Sequence, residues 1–404
     1  MRRFFKDKRT RKACHIFKTL SAQKRKHLSF HTPGHKQKGF DITELSYSDN
    51  LACPRGCIAQ AEREIAQILG AKKSFILTDG STSGVFSMLH AAKALGAKKV
   101  CVIEPAHESV YNACAVLGLV PLSTQNGADA ILCTSPDYYG NIADLSALRA
   151  FCEKEQKLLL IDGAHGGHLH FDKTLYAGTH ADFWVDGVHK SLPAFTQGAV
   201  VSAREEAQAA ALQEAVRIFR TTSPSYPIMA SVEYAVKYPR NEKLEKLVRE
   251  YASTQERVAL QGDWTKFCAL FGKNAFKAEK YFEQNGVWAE FCDGETVCFY
   301  LSPATKKREF KKLCKLLEKA FEKYPFERVQ RNPAPLVFKE TAGEWIELTK
   351  SENRVCAANC GLFPPCVPLI KKGEKITKEK IELLQKANNV YGLNDRKIFT
   401  YKEE

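Results

Sequence analysis

Lys190 lies among small and apolar residues, where a lysine is unexpected. The segment VDGVHKSLPAFTQG, residues 185–198, places it directly after His189, between Trp184 upstream and Phe195 downstream. Lysine is rarely buried without a partner, and an enclosed amine loses its proton more easily and becomes a nucleophile. The pattern is therefore typical either of a surface lysine beside a strand end or of a lysine held for its chemistry.

A second group of polar residues follows a short apolar segment in DGSTSG, residues 79–84. Backbone amides in the first turn of a helix lack internal partners and carry partial positive charge, so they can bind a phosphate. The hydroxyls of Ser81, Thr82 and Ser83 would add donors. The alternative is an ordinary helix cap by Ser or Thr.

An acid and two histidines also follow apolar segments. Asp162 ends the segment LLLI, where a carboxylate is costly unless it is paired. It could cap a helix, ligate a metal or hold a proton on a ring nitrogen. His107 follows VCVIEP and is otherwise an ordinary loop histidine. His189 could donate to a phosphate or cap the turn beside Lys190.

The histidines of AHGGHLHF suggest a metal at first sight. A metal site needs three or four convergent ligands with a supported geometry. Here His168 and His170 alternate as on a strand, and both glycines precede them, leaving His165 on the other side. We therefore predict no metal site.

The secondary structure predicted around these polar residues indicates where they come together. Apolar strand-like segments alternate with helical segments and short loops from residue 59 to residue 191, which indicates an α/β fold with a mostly parallel sheet covered on both faces. Ligands bind at the carboxyl ends of such strands. A phosphate cradle, an acid, a flat ring and a lysine would meet there, and these are the groups that pyridoxal 5'-phosphate needs. Lys190 would form the Schiff base, Asp162 would pair with the pyridine nitrogen, and Ser81, Thr82 and His189 would hold the phosphate.

The length of 404 residues exceeds that of one core, so we predict more than one domain. After residue 228 a long charged helix is followed by a helix–strand–helix series. We predict a basic N-terminal arm over 1–28, a large cofactor-binding domain over 29–255 and a smaller C-terminal α+β domain over 256–404.

The net charge of +14 is concentrated in the N-terminal arm. Residues 1–28 carry +10 and residues 29–404 carry +4. A basic arm could contact nucleic acid, but it lacks the interleaved aromatic residues of a base-stacking surface. We expect a solvated arm or a short helix lying on a partner subunit, and no nucleic-acid partner. The 14 scattered cysteines, the lack of a membrane-length apolar segment and the lack of a signal peptide predict a cytoplasmic protein with reduced thiols and no membrane partner.

Nine segments carry a resemblance to a known family. In chain order they are FHTPGHK, DITEL, DGSTSG, HESV, TSPDYYG, DGAHGGH, HKSLPAFTQG, TTSPSYPIMAS and FPPCVPLI. From about residue 29 onwards the sequence resembles the bacterial ornithine/lysine/arginine decarboxylases, in their short form without an N-terminal wing domain. The resemblance implies the aspartate aminotransferase-like fold (PLP fold type I) and a homodimer. It implies Lys190 as the Schiff-base lysine, Asp162 as the pyridine partner, and His107 stacked on the ring. It also implies Ala164 and His165 near the opposite face, and Ser81, Thr82 and His189 at the phosphate.

Four positions depart from the family pattern. Gly187 replaces a serine, Gly163 an acidic residue, Glu108 a lysine and Ala358 a glutamate. We expect a pyridoxal-phosphate-dependent decarboxylase of arginine, lysine or ornithine that gives an amine of the polyamine type and CO2, with Lys190, His107 and Asp162 as catalytic residues. The alternatives are an aminotransferase or carbon–sulfur lyase with the same cofactor, and a non-catalytic regulator that binds it.

Overall fold

The chain divides into two units in a computed structural model that describes residues 4–22, 28–37, 40–328, 343–364, 366–387 and 389–402. Unit 1 comprises Met1–Glu245 and Leu301–Thr305, and unit 2 comprises Lys246–Tyr300 and Lys306–Glu404. The chain first passes from one unit to the other within a single helix, Glu242–Ser253. That helix lies in the charged segment that the sequence predicted as helical, and it ends before the predicted domain boundary at residue 255.

Unit 1 contains strands β1–β7 and helices α1–α10, and helix α11 begins in it. The helices are α1 Lys8–Ala13, α2 His15–Ala22, α3 Cys57–Leu69, α4 Ser81–Ala94, α5 Glu108–Leu117, α6 Leu145–Lys154, α7 Ala177–His180, α8 Val188–Ser191, α9 Glu206–Phe219, α10 Tyr226–Val236 and α11 Glu242–Ser253. The strands are β1 Lys73–Leu77, β2 Lys99–Ile103, β3 Val120–Leu122, β4 Ala130–Thr134, β5 Leu158–Gly163, β6 Phe183–Asp186 and β7 Ala199–Ala203. A 3₁₀ helix spans Gly167–Phe171.

These strands form one sheet in the order β1-β7-β6-β5-β4-β2-β3. Strands β2 to β6 pair in parallel, whereas β7 runs antiparallel to both β6 and β1. The predicted α/β class with a mostly parallel sheet is confirmed. The carboxyl ends of β1, β2, β4, β5 and β6 therefore share one edge, and β7 begins at that same edge.

Both faces of the sheet are covered, as the apolar strands predict. One buried cluster joins helices α4, α5 and α9 to one face, with Leu132 and Val185 at its centre. The other cluster joins α2, α3 and α10 to the opposite face, around Ile161 and Trp184. Side chains alternate between the faces along each strand, so Asp162 lies on the α4 side and its neighbour Gly163 on the other.

The N-terminal segment packs into unit 1 over residues 4–22. Phe5 and Ile16 are completely buried in the α3 and α10 cluster. The buried Glu233 of α10 accepts the backbone N–H of Ile16 at 2.9 Å and pairs with Lys237 at 2.7 Å. The charge pattern predicted a solvated arm or a helix on a partner. The observed packing differs because apolar side chains alternate with the basic ones and turn inwards.

Unit 2 is built from shorter elements. Antiparallel strands β8 Val258–Ala259, β9 Lys266–Leu270, β10 Phe291–Cys292 and β11 Thr296–Tyr300 form a sheet in the order β10-β11-β9-β8, accompanied by helices α12 Ala275–Gln284 and α13 Lys307–Lys323. Two smaller sheets and a helix follow: β12 Gly343–Glu347, β13 Cys360–Leu362, β14 Val367–Ile370, α14 Lys378–Lys386, β15 Val390–Tyr391, β16 Leu393–Asn394 and β17 Lys397–Tyr401, with a 3₁₀ turn at Leu348–Lys350. The smaller α+β character predicted for the C-terminal region is confirmed. Among the residues that the structure describes, no helix is long and apolar enough to cross a membrane.

Candidate active site

Lys190 lies at the edge of the sheet where the carboxyl ends of the parallel strands meet. Strand β6 ends at Asp186, Gly187 forms the turn, and the four-residue helix α8 carries His189 and Lys190. The Lys190 amine lies 3.2 Å from Nε2 of His165, which follows strand β5. His165 is 3% exposed, so the lysine reaches into the interior of the unit and is not a surface side chain beside a strand end.

His107 lies close enough to both Asp162 and Lys190 to interact with them electrostatically. Asp162 is 2% exposed at the end of β5, and one of its oxygens accepts the backbone N–H of Ala164 at 3.1 Å. His107 caps helix α5, where its Nδ1 accepts the backbone N–H of Ser109 at 3.0 Å. Burial lowers the pKa of His107, the nearby Lys190 lowers it further, and the charge of Asp162 raises it. The structure thus brings together the three residues predicted to carry the chemistry.

The residues predicted at the phosphate lie around the start of β7. Gly80 precedes α4 with a positive φ of 87°, a conformation that favours glycine. Its amide donates to the Gln197 carbonyl at 2.9 Å, and the backbone amide of His189 donates to the Gly198 carbonyl at 3.0 Å. Both bonds end on the loop of Gln197 and Gly198. They therefore place His189 close to the first turn of α4, which carries Ser81 and Thr82.

The amides at the start of α4 have no side-chain cap. Gly80 at the N-cap position offers no oxygen, and the hydroxyl of Ser83 is directed to Asp79 Oδ1 at 2.9 Å and to the Gly80 carbonyl at 3.0 Å. The alternative of an ordinary Ser or Thr cap is therefore not what this helix has. Nδ1 of His189 lies 3.0 Å from the Gly198 oxygen, and burial lowers the pKa of that imidazole.

Two departures from the family pattern have a steric cause. A Cβ atom on Gly187 would lie 2.4 Å from the Ala164 carbonyl oxygen, so the usual serine does not fit. A Cβ atom on Gly163 would lie 3.0 Å from the Val185 carbonyl oxygen and 3.3 Å from Oδ1 of Asp186. The carboxylate of Asp186 therefore lies beside the place that an acidic side chain at position 163 would need.

Asp186 is a buried acid that was not among the site residues predicted from the sequence. It accepts a hydrogen bond from the Tyr176 hydroxyl at 2.6 Å, and that hydroxyl accepts one from Trp184 Nε1 at 2.9 Å. Burial raises the pKa of Asp186 to about 7, and the charge of Asp162 adds to the increase, while the Tyr176 bond opposes it. The only signal in the sequence was an aspartate at the end of an apolar strand, the same signal that identified Asp162.

Two buried threonines at this edge were also missed as site residues. Thr134 ends β4 in register with Asp162, and Thr78 directly follows β1. Their hydroxyls are buried and have no hydrogen-bond partner among the described residues. An unpaired buried hydroxyl is costly, and a ligand at the strand ends would offset that cost.

The segment that carries His168 and His170 forms a 3₁₀ helix, Gly167–Phe171, and not the strand that its alternation suggested. The Leu169 amide donates to the Gly166 carbonyl at 2.8 Å, and Nδ1 of His170 lies 2.7 Å from the Gly167 oxygen. A Cβ atom on Gly166 would lie 2.7 Å from Cδ of Pro136, so glycine is needed there for the close approach of the two segments.

These residues fit pyridoxal 5'-phosphate. Uncapped helix amides beside His189 suit its phosphate, the buried carboxylate of Asp162 suits its ring nitrogen, and Lys190 suits its aldehyde. The unpaired hydroxyls of Thr78 and Thr134 at the strand ends are further donors for a polar ligand.

Comparison with known proteins shows which family of enzymes this chain is similar to. Residues 122–262 match the model of the Orn/Lys/Arg decarboxylase major domain. The Bacillus subtilis arginine decarboxylase is 23% identical over 90% of this chain and 91% of its own length. These matches support membership of the Orn/Lys/Arg decarboxylase family, and with it a decarboxylase that uses pyridoxal 5'-phosphate.

A second curated relative matches nearly the whole chain, and a solved structure shares its fold. The uncharacterized Bacillus subtilis protein YaaO is 24% identical over 96% of this chain and 98% of its own length. The crystal structure of the Francisella novicida lysine decarboxylase superposes with a TM-score of 0.73 at 15% identity, covering 96% of this chain and 80% of that one. At this identity the likeness supports the fold alone, and it confirms fold type I.

Proposed function

We propose that this chain decarboxylates a basic L-amino acid, with arginine as the first candidate, and releases the corresponding primary amine and CO2. The observation that carries the proposal is the position of Lys190, 3.2 Å from His165 at the strand ends, together with His107, which is within electrostatic reach of both Lys190 and Asp162. Arginine is placed first because three relatives named arginine decarboxylase match about nine-tenths of this chain in sequence, whereas the sequence match to the Escherichia coli constitutive lysine decarboxylase spans 51% of it.

Each residue has a separate role in this proposal. Lys190 holds the cofactor aldehyde through its Nζ. Ser81 and Thr82, with the first amides of α4, hold the phosphate together with His189. Asp162 would keep a proton on the ring nitrogen, His107 would lie on one face of the ring, and Ala164 and His165 would lie near the other.

The chemistry divides between the cofactor and these side chains. When bound, pyridoxal 5'-phosphate supplies the electron sink that an amino acid needs in order to lose its carboxylate as CO2. Asp162 maintains that sink because its negative charge, buried at 2% exposure, favours the protonated ring nitrogen. The amine of Lys190, or His107 as an alternative acid, returns a proton to Cα. General acid–base help of this kind contributes about 10²–10⁴-fold.

The burial of His107 supports its place on the ring. Burial lowers the pKa of this imidazole, which favours its neutral form. A neutral imidazole would stack on the cofactor without repelling the protonated ring nitrogen that Asp162 would maintain. Its Nδ1 already accepts a bond from Ser109, which fixes the orientation of the ring.

Product analysis tests the reaction. The purified protein, supplied with pyridoxal phosphate, is incubated separately with arginine, lysine and ornithine, and CO2, amine and keto acid are measured. We expect CO2 and amine in equal amounts. Lys190→Ala should abolish them, whereas Lys173→Ala, at an exposed lysine of unit 1, should not. Keto acid in place of CO2 would favour an aminotransferase, and neither product from a cofactor-loaded protein would favour a regulator.

Chemical labelling tests the site independently of the substrate. Borohydride reduction of the yellow, cofactor-loaded protein should fix the pyridoxyl group on Lys190, as peptide mapping would detect. A label on another lysine would contradict the assignment even if decarboxylation were observed. The homodimer implied by the family stays a prediction, and sedimentation of the same sample checks it.

A further inference from the structure

Unit 1 contains a cavity that the proposed reaction does not use. Its volume is about 540 Å³, and none of its lining residues belongs to the candidate active site. Strand β1, helices α3 and α9 and the loop before α3 form its walls. Six cationic side chains line it, against the single acid Glu62: Arg55, Arg63, Lys72, Lys73, Arg217 and Arg220.

The one acid of the lining is already neutralised. Arg220 has a side chain that is 6% exposed, and its Nη1 donates to Oε1 of Glu62 at 3.2 Å and to the Ile76 carbonyl at 3.2 Å. Its Nη2 donates to the Leu51 carbonyl at 2.6 Å. The same Glu62 oxygen accepts the Ile76 amide at 3.0 Å. This buried pair forms a fixed wall, and the single charge of Glu62, which also acts on Lys73, is shared between two of the six cations.

The remaining cations differ in their partners. Lys72 pairs with Glu206 at 2.7 Å, and Arg217 pairs with Glu214 at 3.0 Å. Among the described residues, the Lys73 amine donates a hydrogen bond only to the neutral amide of Gln213, and it lies 5.3 Å from the centre of the Phe75 ring.

Arg55 and Arg63 have no ion pair among the described residues and are exposed at the cavity. Two arginine charges at one concave surface thus lack an ion pair among the described residues, and Lys73 beside them has only the longer-range attraction of Glu62 and Glu206. The mutual repulsion of these cations is unfavourable for the folded state. A bound anion would reduce that repulsion.

The charge is local to the cavity. Its lining carries a formal net charge of +5, whereas residues 29–404 together carry only +4. Guanidinium groups bind phosphate oxygens through paired, charge-assisted hydrogen bonds. The volume lies within the range of about 300–1,000 Å³ that is usual for small-molecule sites.

We propose that this cavity binds a small molecule that carries several phosphate groups, with Arg55, Arg63 and Lys73 as the cations that hold it. The concave shape and fixed wall favour a compact polyanion over an extended nucleic acid. The proposal is independent of the reaction at Lys190, since the two sites share no residue.

Binding of tripolyphosphate tests the proposal. The full chain is first loaded with pyridoxal phosphate and reduced with borohydride, so that the probe cannot occupy the cofactor's own phosphate site. Titration calorimetry at low salt should give one site per chain. The double variant Arg55→Ala/Arg63→Ala should bind at least about tenfold more weakly, with an unchanged melting temperature because both side chains are exposed.

A matched control removes the same amount of charge elsewhere. Lys307 and Arg308 are exposed on α13 of unit 2, and Lys307→Ala/Arg308→Ala should retain binding. If the double variant at the cavity is unstable, Lys73→Gln should still weaken binding. The proposal is overturned if the wild-type chain does not bind tripolyphosphate, or if the control loses as much affinity as the cavity variant. It is also overturned if duplex DNA binds and tripolyphosphate does not displace it.

Discussion

Asp186→Asn should change how stability depends on pH. The carboxyl group of Asp186 is 1% exposed at the end of β6, and burial raises its pKa from 3.8 to about 7. The folded chain therefore keeps this proton up to about pH 7, whereas the unfolded chain releases it near pH 4. Between these values the folded state binds more protons, so the stability of the wild-type chain should fall as pH rises. Asparagine does not titrate and removes this dependence.

The magnitude follows from the two pKa values. The difference between 3.8 and about 7 corresponds to about 4 kcal/mol at about 1.4 kcal/mol per pKa unit. Relative to wild type, the variant should gain stability progressively from about pH 4 to about pH 7 and then reach a plateau. An asparagine oxygen can still accept the bond that Tyr176 donates at 2.6 Å, so little should be lost at low pH.

Urea denaturation at a series of pH values measures the effect. Trp184 is the only tryptophan of unit 1 in the sequence, and its Nε1 bonds the same Tyr176 hydroxyl, so its fluorescence reports on this part of the molecule. Tyr176→Phe provides a second test. It removes a bond that lowers the pKa of Asp186, and the decline of stability should extend to higher pH. A difference between wild type and Asp186→Asn that stays constant from pH 4 to pH 8 would refute the reasoning.

Three further predictions concern other parts of unit 1. Asp162→Asn should retain pyridoxal phosphate but lose turnover by roughly a hundredfold or more, about 2.7 kcal/mol of transition-state stabilisation, measured as kcat beside cofactor absorbance; a near-native kcat would make Asp162 a structural residue. Gly187→Ser should lower both the melting temperature and kcat, because its Cβ would lie 2.4 Å from the Ala164 oxygen; unchanged values would show that the turn yields. Phe5→Ala should cost about 3–5 kcal/mol in urea unfolding, since Phe5 is completely buried, whereas a solvated arm would show no loss.

Much of the sheet and of its chemistry could be predicted from local sequence. Apolar segments that alternate with helical periods indicate parallel strands, and a polar residue directly after such a segment must lie at the carboxyl edge. Lys190, Asp162 and His107 were identified in this way. Their meeting follows from the parallel direction of β2, β5 and β6.

Other features depend on contacts between distant residues, so no local pattern could predict them. The antiparallel strand β7 brings Gln197 and Gly198 beside Gly80 and His189, and its place between β1 and β6 depends on sheet topology. The steric reason for Gly187 is a carbonyl more than twenty residues earlier, at Ala164.

The surroundings of the basic residues, in the N-terminal segment and at the cavity, depend on the tertiary structure. The basic residues before position 28 predicted a solvated arm, yet burial of Phe5 and Ile16 holds residues 4–22 against α10. Likewise, Arg55, Arg63 and Lys73 are unremarkable in sequence and form a cationic cavity only when α3 packs beside β1. The sequence by itself determined which groups lie at strand ends, because that depends on local periodicity. Tertiary packing decided which charges are buried, paired or gathered, because electrostatic interactions depend on distance in space and not on separation along the chain.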